Sequence, residues 1–402
     1  MFTRTRPWRR HLAITGLLLV LQGAFTGLAR ADAAAPGSLA EAVDLALASG
    51  SLPAEAEPGT GASRWLAMPA TIAVAHLESD QRLGTNETEI SLSFPFKSPA
   101  QRRSDRILAE VDPRLEEASQ RYRRWYLSGT LRDLYARHRR AQAAARMQRA
   151  AVNVLERFEQ QLAAGVGAGG AERYDLLVVQ RMRAEMVGRL NGRLAEAREA
   201  LRLYESLTGA AAFPEDAGDD APLVEAPLYE NHPELTLLDL NRERELAALR
   251  SSAPETTPWT VALIGRDFDL PEFSERQLGV AVEIPVGPGG RPSPSTRSSE
   301  RALRRDYRLQ RDERLAALRL AWTELRSERS ALLARQALLT DSFDAQGLEM
   351  LLAATRQSAE LPIEVRLQRL LTLLEMQAEP AQLALEIEAN AAAMRQLAGQ
   401  SL

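Results

Sequence analysis

Four histidines are the side chains best suited to hold a metal or move a proton near neutral pH: His11, His76, His138 and His232. None has a partner at helical or CxxC-like spacing, so they define no metal site. Cysteine is absent, which removes disulfides, thiolate catalysis and sulfur-ligated metals. It also removes a lipid anchor of the kind carried on a cysteine. No GxSxG, Walker or HExxH pattern occurs. Gly165–Gly170 (GVGAGG) is followed into its helix by no lysine or serine, so it reads as a turn rather than a phosphate loop. Gly287–Pro294 reads as a connector. Carboxylates are abundant, but a charge run on a helix is usually a solvated face. Arginines balanced by Glu and Asp on the same helices point to pairing between helices, not to nucleic acid. Lys97 is the one lysine. We therefore expect no catalytic, cofactor-binding or metal-binding residue, and no enzyme.

The elements that remain are structural. Aromatics are 5% of the 402 residues, charged residues 26% and the formal net charge is −4. That mix favours long helices over a thick core and carries no global basic field. Arg4, Arg6, Arg9 and Arg10 precede an apolar run from Leu12 to Leu28, and Ala29-Arg30-Ala31 places small residues where a signal peptidase reads. Residues 1–31 read as a signal peptide cut before Asp32. The alternative is an uncleaved anchor, against which Gln22 and Thr26 weigh. No later stretch reaches the ~20 apolar residues of a membrane helix.

Ser38–Ser49 is a short amphipathic helix with Leu39, Val43 and Leu47 on one face. Gly50–Ser63 reads as loop. Pro69–Leu77 and Glu87–Phe96 alternate apolar and polar residues as a hairpin, and Trp259–Ile264 with Gln277–Pro285 repeats the device. A one-sided alternation fits a barrel wall, lipid outside and water inside, and equally any half-buried sheet. Ser98–Val111 is a basic helix, and Asp112-Pro113 marks a fresh start or a kink. From there to Ala163 a heptad seam runs through Leu127, Leu131, Leu134, His138, Ala141, Ala145, Gln148, Val152, Leu155, Glu159 and Leu162. Ala171–Leu207 returns along Val187, Leu190, Leu194, Ala197, Leu201 and Tyr204. Thr208–Pro227 is an acidic linker.

The second copy opens with a helix that has Asn231 as N-cap and ends before Pro254 and Pro258. After the second hairpin, Thr296–Ala345 has its seam at Leu315, Leu318, Trp322, Leu325, Leu332, Leu339 and Phe343. A turn at Ala359–Ile363 leads into Ile363–Leu397, with a kink at Pro380. The organisation expected is therefore 1–31 signal peptide, 32–66 short helix and loop, 67–209 first repeat, 210–228 linker and 229–402 second repeat.

Asn231-His232-Pro233-Glu234-Leu235 at a helix start, and the Val280–Val286 strand running into a glycine turn, resemble the TolC-like outer-membrane efflux proteins. The resemblance implies a mainly α chain with a small β part: two copies of helix, β-hairpin, long helix and returning helix. Three chains would close one twelve-stranded outer-membrane barrel and one α-helical tunnel across the periplasm. It also implies a long first helix where Gly50–Ser63 reads as loop; the sequence offers none. By resemblance the functional positions are the helical tips, where the tunnel narrows and a periplasmic adaptor docks: Gly165, Gly167, Tyr174, Asp175 and Leu176 in the first copy, Glu360, Leu361 and Pro362 in the second. Ala359 stands where the family has glycine. The alternative for these residues is a plain helix turn.

The expected protein is thus a passive outer-membrane duct reaching into the periplasm. It would be a homotrimer in lipid, served by an adaptor and an inner-membrane pump, for drug or heavy-metal efflux or for secretion, with no cofactor. The second reading is a soluble periplasmic coiled-coil scaffold or adaptor, which explains the heptads but not two matching amphipathic hairpins.

Overall fold

A computed structural model describes residues 36–50, 65–80, 84–168, 170, 172–219, 221–227, 229–252, 258–269, 274–285, 293–342, 345–357 and 362–402. The signal-peptide reading, most of the Gly50–Ser63 loop, and Glu360 and Leu361 lie outside these residues. In order, the elements are α1 (Leu39–Ser49), β1 (Thr71–Leu77), β2 (Asn86–Phe96), α2 (Pro99–Gly167), α3 (Arg173–Thr208), α4 (Pro233–Ser251), β3 (Trp259–Asp269), β4 (Ser274–Glu283), α5 (Pro294–Ser342), α6 (Ala345–Gln357) and α7 (Ile363–Leu397). Helix, hairpin and helices follow each other twice. Among the described residues, no helix of the length of α2 stands between α1 and β1.

α2 is 69 residues, about 100 Å at ~1.5 Å per residue. Its start is fixed by a capping box. The Ser98 hydroxyl accepts from the Gln101 amide at 3.2 Å, the Gln101 side chain accepts from the Ser98 amide at 3.0 Å, and Pro99 fills the first turn. The break expected at Asp112-Pro113 does not occur; the helix runs through Pro113. Proline removes the donor to the carbonyl of Ala109, four residues back, and Ala109 lies on an exposed face. Ion pairs to α4 hold both sides of the site, Arg244–Asp112 at 2.9 Å and Arg114–Glu243 at 3.8 Å. α7 likewise continues through Pro380.

The cap of α4 is His232, not Asn231, which closes a 3-10 turn at Tyr229–Asn231. The residue before a proline avoids helical backbone, so Pro233 in the first helical turn forces the extended cap onto its predecessor. The α2 seam is largely as expected: Leu131, Leu134, Ala141, Ala145, Val152 and Leu155 are buried. The α5 seam is left half-made. Leu318 and Trp322 are buried, while Leu315, Leu325, Leu332 and Leu339 are only half-buried.

Two apolar clusters hold α1, α2, α3, α6 and α7. One joins α2, α3, α6 and α7 through Leu155, Val179, Met186, Leu352, Leu367 and Leu370. The other joins α1 to the middle of α2 and the end of α3 through Leu39, Val43, Leu131, Leu134, Tyr135 and Tyr204. The acidic linker after α3 packs onto the helices through one of its carboxylates. Asp219 is buried against Arg132 of α2, 2.9 Å and 3.0 Å from its Nε and a terminal nitrogen. The same guanidinium donates to the Gln396 side chain at 2.9 Å and to the Gln400 carbonyl at 2.8 Å. Arg395 donates to Ala221 O at 2.6 Å. Linker and C-terminus are clasped onto α2 at one point.

Candidate functional site

The sheet is built from both hairpins in the order β1-β2-β3-β4, antiparallel throughout. Cross-strand partners project to one side, so the register defines two faces. One carries Ile72 and Val74 of β1, Ile90, Leu92, Phe94 and Phe96 of β2, Trp259, Val261 and Leu263 of β3, and Leu278, Val280 and Val282 of β4. This face is open: Leu278 is 94% exposed, Ile72 73% and Val280 68%. The other face carries Glu87, Glu89, Ser91 and Ser93 beside Thr260, Ala262 and Arg266, then Gln277, Gly279, Ala281 and Glu283. Leu77, Ile264 and Phe268 interrupt it. Arg266 lies 2.8 Å from Glu89 and 3.5 Å from Glu87.

The apolar face has two boundaries. Toward the hairpin loops it ends in His76, Thr88, Asp267 and Arg276; His76 Nδ1 and Thr88 Oγ1 are 2.9 Å apart and Arg276 is 3.3 Å from Asp267. Toward the helices it ends in the facing pair Phe96 and Trp259. From Phe96 to Ile90 the apolar stretch of β2 covers about 20 Å at ~3.4 Å per residue. A membrane barrel shows a band of about 25 Å between aromatic girdles. β1 pairs only with β2 and β4 only with β3, so among the described residues both outer edges are unpaired.

β3 and β4 are longer than the sequence suggested. Apolar alternation stops at Ile264, but pairing continues to Asp269 because Arg266 and Asp267 find charged cross-strand neighbours, Glu89 and Arg276. The apolar sheet face is not buried within the body of the chain.

At the far end of α2 lie the tips. α2 runs through Gly165 to Gly167 before breaking, two residues past the first glycine, and Gly170 N donates to Gly165 O at 2.9 Å. Tyr174, Asp175 and Leu176 form the first turn of α3. Tyr174 is 66% exposed and Leu177 56%, while Asp175 and Leu176 are half-buried. A carboxylate in a first helical turn complements the helix dipole, so Asp175 has a local role too. Pro362 is exposed and caps α7, with Ile363 buried behind it. The two tips are packed together: Val179 of α3 and Leu367 of α7 share one cluster, and the Arg366 guanidinium lies 5.2 Å from the Phe158 ring. The structure thus brings Tyr174, Asp175, Leu176 and Pro362 to one end of the helical bundle.

His76 is an exposed strand residue, and His138 contacts Ala197 O at 2.9 Å. His232 differs. It is 1% exposed, edge-on to Trp125 at 4.9 Å. Burial, and then the neighbouring Arg314 charge, push its imidazole down to about 4. It is a buried neutral wedge at the start of α4. Among the described residues no group of three His, Asp or Glu is placed to hold a metal.

Long paired helices carrying a small amphipathic sheet define the fold class: the fold is that of TolC-like outer-membrane channels. The outer membrane protein VceC of Vibrio cholerae superimposes with a TM-score of 0.59 at 15% identity, covering 83% of this chain and 86% of that one. The MtrE outer membrane channel of Neisseria gonorrhoeae, in its open state, gives 0.58 at 12% identity over 94% and 93%. The CmeC outer membrane channel of Campylobacter jejuni gives 0.59 at 10% identity over 82% and 76%. No family model and no curated protein sequence matches the chain. At these identities the likeness is one of fold.

Proposed function

We propose that this chain is the outer-membrane component of an efflux or secretion system, a passive duct that closes as a homotrimer. The observation that carries the reading is the sheet. A continuous apolar face beside a charged one, bounded by unpaired edges, is stable when lipid covers the first, water fills behind the second and further strands meet the edges. Four strands from each of three copies make the twelve-stranded wall. The helices extend the water path through the periplasm, and an inner-membrane pump supplies the energy. Signal-peptide cleavage before Asp32 precedes assembly.

The tips are the docking end for a periplasmic adaptor, with Gly165, Gly167, Tyr174, Asp175 and Leu176 in one copy and Glu360, Leu361 and Pro362 in the other. The exposure of Tyr174 and Leu177 supports this. Drugs or heavy metals are the proposed cargo class.

The test is single-channel conductance of the purified protein in a planar bilayer, alongside its fractionation. Steady conductance from a detergent-resistant trimer in the outer-membrane fraction is expected. A soluble, non-conducting monomer or dimer would replace this reading with that of a periplasmic scaffold.

A further inference from the structure

Directly beneath the sheet the chain changes charge. Residues 97–106, which leave β2, and residues 294–305, which open α5, together carry eight cationic and two acidic residues, in a chain whose net charge is −4. The two acids are engaged: Asp105 pairs with Lys97 at 2.7 Å, and Glu300 with Arg250 at 2.7 Å and Arg304 at 3.4 Å. Arg103, Arg106, Arg297 and Arg301 are exposed, with no ion pair among the described residues. Balanced charge, which would mark ordinary pairing between helices, is absent here.

The order along the chain is that of half a bilayer: an apolar band, then the facing aromatic pair Phe96 and Trp259, then a cationic zone. Aromatic residues sit at the depth of the headgroups. The headgroup layer on each side of a bilayer is about 6 Å thick. A helix descends about 5.4 Å per turn, so arginines in the first turns, with their long stems, reach it.

We propose that these helix starts form a cationic collar that binds the anionic phospholipid headgroups of the leaflet on the helix side of the barrel. The collar rests on the duct reading above, because it takes its occupant from continuity with the lipid-covered sheet face. Its chemistry is charge pairing between guanidinium and phosphate, bidentate where geometry allows. Each cation near a membrane surface raises affinity for anionic lipid about five-fold.

The test uses the full chain purified in detergent and equilibrated with mixed micelles of equal phosphatidylglycerol and phosphatidylcholine. Lipid retained after gel filtration is counted by mass spectrometry. The expected result is retention of phosphatidylglycerol over phosphatidylcholine by at least about five-fold. In R103Q/R106Q/R297Q/R301Q that ratio falls below about two-fold, while R193Q, remote on α3, keeps it. Equal retention of both lipids by the unmodified protein overturns the collar; conductance in the same preparation leaves the duct standing. Retention of neither lipid together with no conductance overturns both. Should the quadruple variant not fold, the ratio measured on the unmodified protein still decides.

Discussion

Asp219→Ala leaves the Arg132 guanidinium in place with its charge and without its partner. Arg132 is 4% exposed, so water does not replace the two lost acceptors at 2.9 Å and 3.0 Å. Breaking a buried pair from one side costs about 3–5 kcal/mol. Gln396 Oε1 and Gln400 O still accept from the same group at 2.9 Å and 2.8 Å, which puts the expected loss near the lower end, about 3 kcal/mol. At ~2.1 cal/mol/K per residue, a chain of this length unfolding cooperatively would melt about 4 °C lower. Removing both charges in R132M/D219A returns only part of the loss, about 1 kcal/mol, because Arg395, 3.4 Å from Asp219 and mostly buried, still lacks its carboxylate. The measurement is thermal unfolding in detergent followed by tryptophan fluorescence, with hydrogen exchange across 215–222 and 395–402. Faster exchange confined to those segments in the single variant marks release of the clasp. A loss below about 1 kcal/mol, or a double variant as poor as the single ones added together, would refute the reasoning.

Four further expectations concern separate parts of the molecule. Gly129→Ala places a Cβ 2.6 Å from Gln396 Cδ, so the glutamine must leave Trp125 O, where it donates at 2.8 Å; a loss of stability of about 1–2 kcal/mol, read as a lower melting temperature, is expected despite alanine's better helix propensity. For His232, the unfolded chain takes a proton near pH 6.5 and the folded chain only near 4. Stability is therefore full above about pH 6.5 and falls as pH drops toward 4, by up to about 3 kcal/mol; urea midpoints at pH 7.5 and 4.5 in the native chain and in H232L test this, and equal pH slopes would count against it. Val280→Arg puts a charge on the lipid side at a cost of about 2–4 kcal/mol and should empty the outer-membrane fraction of trimer, whereas Gln277→Arg on the charged face should not. Tyr174→Ala with Leu177→Asp should leave conductance intact and weaken cross-linking to an adaptor by an order of magnitude or more; unchanged cross-linking would remove the tips from the docking surface.

Much of this architecture is legible in the sequence because two periodicities carry it. Ile90, Leu92, Phe94 and Phe96 alternate with polar residues and announce one side of a strand. Leu131, Leu134, Ala141 and Ala145 recur by threes and fours and announce a helix seam. What escapes is interaction without local pattern. Arg132 is one of many arginines along α2 and Asp219 lies in an acidic linker, 87 positions away; nothing near either marks a buried pair. Pro113 carries a strong local signal for a break, yet α4 packed alongside overrides it. The Arg266–Asp269 end of β3 is polar and reads as loop until its partners across the sheet are known. The tip residues are positioned by the cluster beneath them, not by the glycines that made them noticeable.

Because each chain supplies an even number of antiparallel strands, β1 and β4 run in opposite directions. The free rim of one copy can therefore meet the opposite rim of the next without disturbing the up-down alternation, whatever the number of copies. On the duct reading proposed above, one copy would not seal the wall by itself, and it would carry two unpaired rims and an apolar flank until others arrive. Subunit encounter and entry into lipid would then be coupled. Assembly should therefore depend steeply on chain concentration, and a shortage of chains would favour aggregates over a smaller pore.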